Sequence, residues 1–73
     1  MNQLNYTVIL EPSESSYGAY VPDLPGCVAV GATKAEALEL IQEAIEFHLE
    51  DLRDEHQPIP TPQTTSEIVT VNT

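Results

Sequence analysis

Five consecutive residues, Pro22-Asp23-Leu24-Pro25-Gly26, restrict the backbone more than any other part of this chain. Pro22 fixes its own φ and pushes Val21 toward extended geometry, and Pro25-Gly26 suits the two central positions of a type II turn. The chain must reverse here, so whatever flanks the segment is folded back on itself. Upstream, residues 4–11 alternate, with Leu4, Tyr6, Val8 and Leu10 on one side and Asn5, Thr7, Ile9 and Glu11 on the other. That is the period of a half-buried strand. Residues 12–16, Pro-Ser-Glu-Ser-Ser, have the composition of a hairpin loop, and residues 17–21 resume the alternation with Tyr17, Ala19 and Val21 on one face. Downstream, the short apolar run 27–30 predicts a third strand.

Thr33-Lys34-Ala35-Glu36 has the pattern of a capping box, in which the Thr33 hydroxyl and the Glu36 carboxylate satisfy free N–H groups at a helix start. Leu38, Ile41, Ile45, Leu49 and Leu52 then recur at three- and four-residue intervals, widened by Ala37, Ala44 and His48. The predicted helix covers residues 34–56 and stops before Pro58, since Pro58, Pro60 and Pro62 cannot continue it. Residues 57–66 are expected to form an extended, exposed Pro/Thr-rich linker to a last strand around 67–71. The expected fold class is α+β: a two-layer β-β-β-α-β domain over residues 1–73, with a three-stranded antiparallel sheet, one long helix and a C-terminal strand.

The predicted helix is roughly 35 Å long, whereas a strand of usual length spans about 17–20 Å. It overshoots its sheet, and Ile45, Phe47, Leu49 and Leu52, with Ile68, Val69 and Val71 of the last strand, are the expected oligomer interface. A folded chain of 73 residues hides only about 60% of its extended surface. One cysteine, Cys27, cannot make an internal disulfide, so oligomerisation is the expected source of extra stability. The opposite helix face carries Glu36, Glu39, Glu43, Glu46 and Glu50, a one-signed row whose members repel by a few tenths of a kcal/mol per pair. With twelve acidic side chains against Lys34 and Arg53, the net charge is −10. That charge disfavours a nucleic-acid backbone and favours a basic partner. An ordinary solvated face is the bland alternative. Met1-Asn2-Gln3-Leu4-Asn5 lacks a secretory pattern, no stretch reaches membrane-span length, and the lone thiol fits a cytoplasmic protein.

No residue pattern assembles an active site, so no enzyme activity and no cofactor are expected. His48 and His56 lie eight residues apart, too far to share one ion from a single helix. The serines stand outside any nucleophile motif, and Asp23 reads as a turn residue. Cys27 has no basic neighbour in sequence to activate it, which makes it a small core hydrophobe. The isolated Gly18, Gly26 and Gly31 form no phosphate-cradling loop.

Three segments taken together, Tyr20-Val21-Pro22-Asp23-Leu24-Pro25-Gly26-Cys27, Gly31-Ala32-Thr33-Lys34-Ala35-Glu36-Ala37-Leu38 and Ile59-Pro60-Thr61-Pro62, closely resemble the HicB antitoxin family in wording, order and spacing. The resemblance covers most of residues 4–62. It implies a non-catalytic domain that neutralises a small basic HicA-type toxin, an mRNA-cleaving ribonuclease, by docking on it. Many members carry a C-terminal DNA-binding segment. This sequence has no basic residue after Arg53, so the short form is expected, without direct DNA binding. The expected partner-binding residues are Asp23, Leu24, Glu39, Glu43, Glu46 and Glu50. The competing expectation is a solitary homo-oligomeric structural or regulatory protein with no toxin.

Overall fold

Two linked turns execute the reversal at residues 21–27. In a computed structural model that describes residues 3–73, the Leu24 N–H donates to the Val21 carbonyl (3.0 Å) and the Cys27 N–H to the Leu24 carbonyl (3.1 Å). Gly26 sits at φ 84°, as position three of a type II turn requires. The Val21 N–H donates to the Cys27 carbonyl at 3.3 Å, closing the loop at its neck. Cys27 is therefore spent on the turn. The three strands are β1 (Ile9–Pro12), β2 (Tyr17–Tyr20) and β3 (Val28–Gly31), paired antiparallel in the order β1-β2-β3. Ile9 faces Tyr20, and Tyr20 faces Val28. The first strand is shorter than the alternation suggests because β2 turns away at Pro22, leaving residues 4–8 nothing to pair with. Their alternation still reports burial, since Tyr6, Val8 and Leu10 pack against the core.

Helix α1 runs over Lys34–Asp54. Thr33 caps it in an extended conformation, its hydroxyl accepting from the Glu36 N–H at 3.1 Å. The Glu36 carboxylate reaches one residue further back than a standard capping box, accepting from the Ala32 N–H at 2.9 Å. At the other end the His56 N–H donates to the Arg53 carbonyl and the Gln57 N–H to the Leu52 carbonyl, with His56 at φ 57°. Those two bonds are a Schellman motif, so His56 is an ordered cap in the left-handed region and not a fraying end.

Ala19, Val21, Leu24, Cys27, Ala37 and Ile41 form the core between the sheet and α1. Gly31 permits that packing: a Cβ there would lie 2.5 Å from the backbone nitrogen of Ala37. The helix covers one face of the sheet only. On the other, Val28 and Val30 are 64% and 65% exposed.

Two expectations about the C-terminal part are corrected. Residues 57–66 are not a free linker, because the side chains of Tyr6, Thr7 and Asp23 grip them, as described below. The strand expected over 67–71 is not formed among the described residues, and Ile68 is 97% exposed. The fold class is otherwise the α+β sheet-and-helix arrangement expected. Met1 and Asn2, part of the N-terminal segment read as lacking a secretory pattern, lie outside the described residues.

Candidate partner-binding surface

An α-helix brings positions three and four apart onto one side, and α1 uses this to sort its residues into two faces. Ala37 and Ile41 are buried, while Ala44, Ile45 and Leu49 are half-buried against the core. His48 and Leu52 are half-buried too. On the other side Glu39, Glu43, Glu46 and Glu50 are all exposed. The two cations of the sequence sit at opposite ends of the helix, Lys34 as its first residue and Arg53 in its last turn. Between them the row of carboxylates is uninterrupted by positive charge.

Phe47 belongs to this acidic side. Expected with Ile45, Leu49 and Leu52 at an oligomer interface, it lies about 120° round the helix from Ile41, away from the core. It is 71% exposed and, with Glu43, Glu46 and Glu50, lines an open depression of about 370 Å³. An aromatic ring among carboxylates offers a cationic partner both charge and a π face.

The other two expected contact residues have internal roles. Leu24 is fully buried, at 0% exposure, where it plugs the core beneath the turn. Asp23 is a clasp. Its Oδ2 accepts from the Gln63 and Thr64 N–H groups, both at 2.9 Å, and its Oδ1 from the Thr64 hydroxyl at 2.8 Å. The backbone bond from Thr64, then that from Gln63, then the hydroxyl hold the Asp23 carboxyl below its ordinary range. Two further ties run from the strand-one segment: the Tyr6 hydroxyl donates to the Pro60 carbonyl, and the Thr7 hydroxyl to the Thr64 carbonyl at 2.6 Å. Burial, and secondly the Asp23 charge, push the Tyr6 phenol above its ordinary value. Residues 57–64 thus form a strap tied to the turn and to the segment leading into β1. Proline composition predicted its extended shape but not its docking, because the partners lie 40 to 57 positions away. The only sequence signal was the recurrence of Asp23 and Ile59-Pro60-Thr61-Pro62 in one family-like pattern.

Cys27 is 4% exposed, and burial raises its thiol, so it is held in the un-ionised form. Among the described residues no group of three or more His, Cys, Asp or Glu side chains is placed to hold a metal, and no helix is long and apolar enough to cross a membrane.

Fold and surface together define a small α+β module that presents a one-signed helix face and locks its C-terminal strap to a turn. Residues 6–72 match the family described as HicB_like antitoxin of bacterial toxin-antitoxin system, and the chain belongs to that family. It is 49% identical over 57 residues to a UPF0150 protein of Synechocystis, spanning 77% of this chain and 72% of that one. A UPF0150 protein of Thermoplasma acidophilum is 45% identical over 58 residues, 78% of this chain and 84% of the relative. Antitoxin HicB 2 of Photorhabdus laumondii is 35% identical over 68 residues, which is 88% of this chain but 46% of that longer protein.

Proposed function

We propose that this chain is a non-catalytic antitoxin that neutralises a small basic, mRNA-cleaving ribonuclease of the HicA type through the exposed face of α1. The observation that carries the reading is the uninterrupted row Glu39, Glu43, Glu46 and Glu50 beside exposed Phe47. A surface that binds RNA must be basic, and a row of carboxylates competes for it directly while steering the encounter electrostatically. The row also costs α1 stability by self-repulsion, and a cationic partner removes that cost. Asp23 and Leu24 serve the interface indirectly, Leu24 by filling the core on which α1 packs and Asp23 by tying the strap to the turn.

The test is growth rescue. Co-expression with a small basic HicA-type ribonuclease, sought first in the adjacent coding sequence, should relieve the growth arrest that the ribonuclease causes, and the charge-reversing pair Glu43→Lys and Glu46→Lys should abolish the relief. Rescue by the reversed variant as complete as by the natural chain would count against the acidic face. Growth arrest that the natural chain never relieves would count against the antitoxin reading itself.

A further inference from the structure

One side of the sheet and one end of the chain are left uncovered, and they match each other. The register places Tyr20 opposite Val28 and Gly18 opposite Val30 on the face away from α1. Tyr20 is 39% exposed there, beside the two bare valines. A depression of about 540 Å³ runs over this face and the Pro22–Gly26 turn, with Glu11 as its one ionisable lining carboxylate. β3 ends the strand order, so its outer edge has no partner strand among the described residues. Beyond the strap, residues 66–71 contain Ile68, Val69 and Val71, three β-branched side chains at 97%, 78% and 71% exposure, with no proline after Pro62. Such an edge and such a segment are the two halves of a strand-addition contact.

We propose that residues 66–71 of one copy of this chain add as a strand to the free edge of β3 in a second copy, carrying apolar side chains onto Tyr20, Val28 and Val30. Charge selects the occupant. Seven of the twelve carboxylates lie on α1, so two copies meeting through their helices would set like charges together. Residues 57–73 carry a single charge, Glu67, and the sheet face carries little more, so here two chains of net charge −10 can approach. A basic partner has no reason to prefer this neutral face over the helix. Among the described residues the segment finds no cover within its own chain: its apolar side chains stay exposed, and the radius of gyration is 14.1 Å, against roughly 11 Å for a compact chain of this length. The clasp on Gln63 and Thr64 fixes where the segment departs, at the β2–β3 loop. The proposal goes beyond toxin binding and stands without it.

Sedimentation equilibrium of the full chain tests it, with Ile68→Pro and Val69→Pro made separately and Val30→Glu as a third variant. Alternate residues of a strand point their N–H groups to the ladder, so one of the two prolines must remove a ladder bond. The tail lies outside the core, and circular dichroism should report an unchanged fold for both. The natural chain is expected to dimerise at micromolar concentration, and one proline variant and Val30→Glu should each weaken the dimer by about tenfold or more. A monomer at all accessible concentrations, or a dimer that Val30→Glu or both prolines leave unweakened, would overturn the proposal.

Discussion

At the scale of single residues, the fold turns on positions where chemistry and space leave one choice. Gly31 is one: the absent Cβ would collide with the Ala37 backbone, which cannot yield as a flexible side chain would. Gly31→Ala should therefore lose about 1–3 kcal/mol in a denaturant titration, a large share of the roughly 4–11 kcal/mol available to a domain of this size. Asp23 is another. Its hydrogen bonds depress its folded-state pKa, so the grip on Gln63 and Thr64 is fully present above the ordinary carboxylate range and is lost as pH falls through the lowered value. Amide exchange at Gln63 and Thr64 should show protection that persists to mildly acidic pH in the natural chain and is missing in Asp23→Ala. Unchanged protection in that variant would contradict the clasp. Tyr6 works in the opposite direction: its folded pKa is raised, so its contribution is present below the ordinary phenol value and lost as pH rises through the raised one.

At the scale of elements, the helix ends are under local control, and one of them is not optimal. His56 occupies a left-handed cap position that glycine fills without steric cost. His56→Gly should raise stability by about 0.5–1 kcal/mol, read as a higher melting temperature; a lower one would contradict the cap assignment. Much of this level was legible in the sequence. The Pro25-Gly26 turn, the Thr33 cap, the inward set Tyr17, Ala19 and Val21, and the helix stop before Pro58 all rest on local backbone rules that act whatever the rest of the chain does, although α1 ends at Asp54, two residues short of the expected range. What was not legible was long-range. The strap looked like a linker because its hydrogen bonds reach to Tyr6, Thr7 and Asp23. The segment 67–71 has strand composition, but composition does not supply a neighbour. Val28-Ala29-Val30 is apolar throughout, so it concealed that the small Ala29 faces the core while both valines face out.

At the scale of the whole molecule, surfaces of opposite character are kept apart: carboxylates along α1, and bare apolar groups on the sheet and tail. A chain so divided has one region suited to a cationic partner and another suited to its own copy. Binding through α1 should be electrostatic in its kinetics, with association slowing steeply as salt rises while the fold is unaffected. A complex whose association rate is independent of salt would argue against the acidic row as the docking surface. The most direct measurement of the central claim is the affinity of the full chain for a small basic HicA-type ribonuclease, taken with the natural sequence and with Glu43→Lys plus Glu46→Lys. A tight complex that the double reversal weakens by about a hundredfold or more, with helix content unchanged, is the predicted result. A complex of undiminished affinity in the reversed variant would contradict it.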